Sequence, residues 1–179
     1  MMKKWESVII IGLIVFLTNI FLFGQDKSKE QIENPRIDYK EFLKNAQLAE
    51  EHRSKRRLTE QEFINKSKEK GVIILDARSK DKYDLLHING ALNLPFADIA
   101  TESLNRMFPD KDVTILIYCN NNFKGNEAAF AVKTSGASLN ISTYISLYTY
   151  GYRNIYELGP LLDVKNTKLE LVPTKSENK

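Results

Sequence analysis

No disulfide can form within this chain, because its 179 residues include a single cysteine, Cys119. A nucleic-acid partner is not indicated either, since the net charge is only +3. The only basic run of note is Arg53, Lys55, Arg56 and Arg57, which reads as a solvated helix end with cations near its C-terminus. Long apolar runs are absent but for one. Val8 to Phe23 is apolar except for Gly12, Thr18 and Asn19; Lys3 and Lys4 precede it and the charged stretch 26–30 follows. Residues 1–25 therefore read as a signal peptide, cut near Gly24 or Gln25, or as an uncleaved N-terminal membrane anchor. No cysteine lies at that boundary, which excludes a bacterial lipoprotein anchor. Either way the rest of the chain is expected to be exported, periplasmic or tethered to the membrane through residues 8–24. In such a protein a lone cysteine is an intermolecular partner, an inert buried residue or a reactive group.

What is present is ordinary for a globular domain, with 42% apolar and 27% charged residues. Residues 26–57 read as a linker and an N-terminal helix, opened by Asp38 as cap and Glu41 reaching back, with Phe42, Leu43, Ala46 and Ala49 on one side. Thr59-Glu60-Gln61-Glu62 has the form of a second capping box before a helix that carries Phe63 and Ile64. Val72–Leu75 and Thr114–Tyr118 are short β-branched runs of the kind that form strands buried on both faces. Ser79 can cap a short helix, Ala91–Leu94 is a strand stopped by Pro95, and 97–107 can form a helix. Ile155–Leu158 is a further strand. After the cysteine, a helix is expected over Asn126, Ala128, Ala129, Phe130 and Val132. A second is expected from the stripe Ile141, Tyr144, Ile145 and Tyr148, with Gly151 at its end. The tail, 166–179, is mostly polar and reads as partly loose. Strands alternating with helices indicate an α/β domain of three layers, a central and mostly parallel sheet flanked by helices.

Cys119 sits at the C-terminal tip of the clearest strand, where open parallel sheets place their sites. Asp76 and Arg78 stand at the tip of another. The loop Asn120-Asn121-Asn122-Phe123-Lys124-Gly125 supplies backbone N–H groups, a cation and no carboxylate, all of which favour a thiolate. Asp76 and Arg78 most simply pair with each other or with loop amides, and His87, in a turn, is most simply a hydrogen-bonded structural residue.

Several ordered segments together resemble the rhodanese homology domain, over roughly 58–165. Leu75-Asp76-Ala77-Arg78 resembles the Asp-x-Arg strand end of that family, and 87–95 resembles its His-Ile-x-Gly-Ala-x-Asn-x-Pro segment. Ile117-Tyr118-Cys119, Lys124 and Ala128-Ala129 resemble its strand, its six-residue active loop and the helix behind it. Gly151 to Leu158 is similar to its late strand. The resemblance implies a sulfurtransferase: Cys119 as the catalytic thiolate, residues 120–125 binding a small anionic sulfur donor, a thiol or cyanide as acceptor, and Asp76, Arg78 and His87 as scaffold. It implies neither a metal nor an organic cofactor. A non-catalytic module that binds a partner or senses oxidation is the alternative. A phosphatase is disfavoured, since a phosphate needs a longer loop ending in arginine. The sequence departs from the family at Asn122, where glycine is frequent, at Lys124, where arginine is frequent, and at Gly159-Pro160, where a glycine pair is frequent. It also departs in the length of chain between Cys119 and Gly151, which places an extra helical segment near 134–150.

Overall fold

Four consecutive apolar residues, Ile115–Tyr118, form strand β5 at the middle of the sheet in a computed structural model that describes residues 32–174. The chain divides after Asp38, and the unit described below begins at Tyr39. Its elements are α1 (Tyr39–Arg53), β1 (Arg57–Leu58), α2 (Glu60–Ser67), β2 (Ile73–Asp76), α3 (Lys80–Leu85), β3 (His87–Ile88) and β4 (Leu92–Asn93). They continue with α4 (Thr101–Met107), β5, β6 (Phe123–Lys124), α5 (Leu139–Thr149), β7 (Ile155–Leu158), β8 (Leu162–Asp163) and β9 (Leu171–Val172). Five parallel strands form the main sheet in the order β1-β7-β5-β2-β4. The three-layer α/β architecture is as the sequence pattern implies.

Side chains on a strand alternate between faces, and β5 shows what that does here. Ile115 and Ile117 join one core with Ala49 of α1, Leu104 of α4, and Tyr144 and Leu147 of α5. Leu116 and Tyr118 join the other, with Phe63 of α2, Ile88, Phe123, Phe130 and Leu169. Two helical layers therefore cover a sheet that has no solvent face at its centre, which is why β5 reads as an unbroken apolar run. Local signals set several boundaries. Thr59 and Glu62 form the expected reciprocal cap on α2, and Gly151 ends α5 with φ +93°.

The structure corrects the sequence reading in five places. No helix forms over 126–132. Residues 126–130 make a single turn closed by Phe130 N to Asn126 O at 2.8 Å, and the chain runs on irregularly to 134. The cause is competition for carbonyls. Lys82 Nζ donates to Ala128 O at 2.6 Å, Arg78 Nη1 to Ala129 O at 2.9 Å, Asn120 Nδ2 to Ala131 O, and Asn121 Nδ2 to Lys133 O at 2.7 Å. Helical N–H groups would need those same acceptors.

The tyrosine-bearing helix expected near 134–150 is α5, and it is the helix that carries the chain from β5 to the parallel strand β7, not an addition to the fold. The described part of the tail packs on the domain: β9 pairs antiparallel with β3 and Leu169 is buried. A short strand, β1, also follows α1 and extends the sheet beside β7. On α1 itself only Ala49 is buried, while Phe42 and Leu43 are about half exposed, so the expected apolar face is not buried over its first half. No helix among the described residues is long and apolar enough to cross a membrane, and the expected tether at 8–24 lies outside them.

Candidate active site

Asp76 and Tyr118 are direct neighbours across β2 and β5, so their side chains leave the sheet on the same face and meet. Tyr118 Oη donates to Asp76 Oδ2 at 2.5 Å and accepts from Ile88 N at 3.1 Å. Arg78 closes the knot. Its Nε and Nη2 reach both Asp76 oxygens at 2.6–3.1 Å, and its remaining donors reach Ala129 O and Leu86 O. Asp76 is fully buried and Arg78 is 2% exposed. Burial works against the Arg78 charge, but the bonds and charge of Asp76 outweigh it and hold the guanidinium above its ordinary pKa. Burial, then the Asp76 charge, push Tyr118 well above its ordinary value, so it remains a phenol donor. His87 stacks on Tyr83 with ring centroids 3.7 Å apart and bonds Tyr83 O through Nδ1 at 2.8 Å. Asp76 and Arg78 are thus paired with each other, and His87 is hydrogen-bonded to a nearby carbonyl.

One residue further along β5 the chain changes face, and Cys119 turns from that knot toward α5. Its Sγ lies 3.4 Å from Ser138 Oγ, the N-cap position of α5, and Ser138 makes no capping bond of its own. Beyond Ser138 lies the first turn of an 11-residue helix, whose leading N–H groups have no acceptor inside the helix. A helix N-terminus does therefore face the sulfur, but it arrives from 19 positions along the chain rather than from the segment directly after the loop. Cys119 is fully buried.

The asparagine triplet holds this arrangement. Asn122 is buried, its Oδ1 accepting from Cys119 N at 2.9 Å and Asn140 Nδ2 at 3.0 Å while its Nδ2 donates to Leu158 O at 2.7 Å. Glycine could make none of these bonds, so this departure from the family pattern carries a structural task. Asn121 bonds both the N–H and the C=O of Lys133, and Asn120 reaches Ala131 O. Together they tie a strap, 131–137, across the loop. Two buried polar atoms here have no partner among the described residues, Asn120 Oδ1 and Asn140 Oδ1.

The expected ligand set is only partly assembled. Phe123 is 1% exposed and packs on Tyr118 and Phe130 in the core. Lys124 is exposed in β6, pairs with Asp163 in β8, and makes no side-chain bond to the cysteine loop. Gly125, at φ +88°, turns the chain against Asp163, with which a Cβ would be in contact. Sequence reasoning missed Ser138, Asn140, Lys82 and Lys133. Ser138 carried a legible signal, as a serine directly before an apolar stripe; the lysines carried none. A cavity of about 460 Å³ lies beside the loop. Arg78, Lys82, Phe96, Asn120, Lys133 and Leu139 are among its walls, and Cys119, the residue before Asn120, is not.

The geometry is that of a strand-end cysteine beside the N-cap residue of a helix, above a parallel sheet. The family-wide sequence profile of the rhodanese-like domain matches residues 59–158, and the chain belongs to that family. It is 28% identical over 96 residues to the thiosulfate sulfurtransferase PspE of Escherichia coli (strain K12), covering 54% of this chain and 77% of that protein. Among solved structures it is similar to a rhodanese with anions from E. coli, at 23% identity and a TM-score of 0.39, covering 57% of this chain and 98% of that one. It is also similar to the BH2092 protein of Bacillus halodurans, at 20% identity and a TM-score of 0.48, covering 79% and 88%.

Proposed function

We propose that this protein is a sulfurtransferase that carries a sulfane sulfur on Cys119. The observation that carries the reading is the placement of Sγ against Ser138 at the N-terminus of α5, where a negative charge is favoured. The Cys119 thiolate attacks the outer sulfur of a donor such as thiosulfate. A new S–S bond forms, the donor's S–S bond breaks, and sulfite leaves with the bonding pair. An acceptor thiolate, or cyanide, then attacks the terminal sulfur and Cys119 leaves as thiolate, which completes a ping-pong cycle. Lys82 and Lys133, in the wall of the cavity, are the cations placed for an anionic donor. Lys124 is not. Because Cys119 is fully buried, the strap 131–137 has to swing aside for either substrate. The proposed setting is outside the cytoplasm, supported by the basic and then apolar order of residues 3–23.

The full burial of Cys119 also supports a second reading, a rhodanese-like module that binds or senses without turnover. Intact-mass measurement after thiosulfate treatment separates the two. A gain of about 32 Da on Cys119 that cyanide removes is expected. An unmodified protein, together with no thiocyanate formed above the Cys119→Ser background, would rule out the transferase.

A further inference from the structure

A second cavity, about 540 Å³, opens beside the C-terminal half of α5, roughly 15 Å along that helix from Ser138. Leu48, Glu51, His52, Lys55 and Arg56 line it from the α1 side, and Tyr148 and Tyr156 from α5 and β7. The charge here is uneven. The buried carboxylate of Glu157 is saturated by two arginines: Arg53 binds both oxygens at 2.6 and 2.7 Å, and Arg57 binds Oε1 at 2.9 Å. Arg56 is the surplus. Its guanidinium rests on the Tyr156 ring at 4.8 Å but has no hydrogen-bond or ion-pair partner among the described residues, and its Nη1 is buried without an acceptor. Arg56 as a whole is half-buried, but a guanidinium N–H held without an acceptor is costly, and an anion in the cavity would supply the partner the group lacks.

His52 completes the wall. Tyr144 Oη donates to Ile155 O at 3.1 Å, so its lone pair receives His52 Nδ1–H at 2.8 Å. That assignment leaves Nε2 as the free ring nitrogen. Leu48 and the two tyrosine rings supply apolar and aromatic surface.

We propose that this cavity binds a small organic oxyanion, a carboxylate or phosphate head on an aromatic or apolar body, with Arg56 holding the head. A bare inorganic ion would leave most of the volume unfilled, while a neutral molecule would leave Arg56 unpaired. Nothing in this proposal depends on sulfur transfer at Cys119.

The chain has only two histidines, which makes proton NMR of the full chain, in mild detergent, a direct test. Burial first, then the charges of Arg56 and Arg153, hold His52 below its ordinary pKa. Glu51 of α1, Lys55 in the turn after it, and Tyr144 and Tyr148 of α5 are its other polar neighbours. A bound anion reverses part of the cationic effect. Titration with benzoate or phenyl phosphate is expected to move the His52 ring signals saturably, with Kd below about 1 mM. It should also raise the His52 pKa and leave His87 unmoved. The two probes separate carboxylate from phosphate heads. Arg56→Gln should weaken binding about tenfold or more, and Arg56→Lys, which keeps the charge if the first variant folds poorly, by a smaller factor. The proposal is overturned if neither probe saturates below about 10 mM. It is equally overturned if benzyl alcohol or inorganic phosphate binds as tightly as phenyl phosphate, or if both Arg56 variants bind as the parent does.

Discussion

The ends of β2 and β5 lie side by side at one level of the sheet and are built in opposite ways. At the end of β2, both Asp76 oxygens are shared between Arg78 and Tyr118, and the guanidinium spends its other donors on Ala129 and Leu86. At the end of β5, Asn120 and Asn140 each keep a buried polar atom without a partner among the described residues, and the sulfur of Cys119 lies within hydrogen-bonding distance of the Ser138 hydroxyl. The first region is closed chemistry, with every strong group already neutralised. The second retains unused bonding capacity around a nucleophile. On the reading proposed above, stability resides in one and reactivity in the other, although Tyr118 and Cys119 are consecutive residues.

Substitutions can break that division of labour. The largest effect is expected from Cys119→Ser, which takes sulfur transfer to background in a thiosulfate and cyanide assay. It should shift the urea stability by only about 1 kcal/mol or less, since the hydroxyl can still reach Ser138. Asp76→Asn is the converse. It leaves Arg78 charged, buried and unpaired, at a cost of about 3–5 kcal/mol in urea unfolding, while the molecules that remain folded keep their thiol reactivity.

Asn122→Ala tests the point where the two regions join, because it frees Cys119 N and Leu158 O in the interior. About 2–3 kcal/mol of destabilisation is expected, accompanied by lost activity. Asn121→Ala unties only the exposed strap. It should cost about 1 kcal/mol or less and speed alkylation of Cys119 by iodoacetamide several-fold. An unchanged alkylation rate would mean that the strap does not gate the thiol.

The smallest effect lies outside both regions, at His52. Its folded pKa is depressed below the unfolded value, so the stability it contributes is present above about pH 6.5 and is lost as pH falls through the lower folded value. Thermal melts of His52→Gln should therefore fall less steeply than the parent's on the acid side of pH 6.5.

Most of the fold was legible. The apolar runs of β2, β5 and β7, the Thr59–Glu62 cap and the Gly151 stop are each written in residues within a few positions of one another. Asp76, Arg78 and His87 were legible as scaffold for the same reason, since two of them bond each other and the third bonds a carbonyl four residues back. The active loop was legible at Cys119 and at its asparagines, but not beyond. Ala128 to Val132 has a composition that suits a helix. The side chains that take its carbonyls stand at positions 78, 82, 120 and 121, up to 51 residues away, and no local pattern reports them. Lys124 was misread because counting along a loop assumes that the loop curls back. Here β6 pairs with β8 and carries the lysine outward.

The sequence alone determined the three-layer α/β class, the cysteine at a strand tip and the buried scaffold beside it, because strand periodicity and capping act over a few bonds. Only the tertiary structure decided which helix meets the sulfur, which lysines line the cavity beside the loop, and which of the arginines at 53, 56 and 57 lacks a hydrogen-bond partner among the described residues. Those outcomes depend on donors and acceptors distant in sequence competing for the same bonds, and that competition is resolved only when the chain is packed.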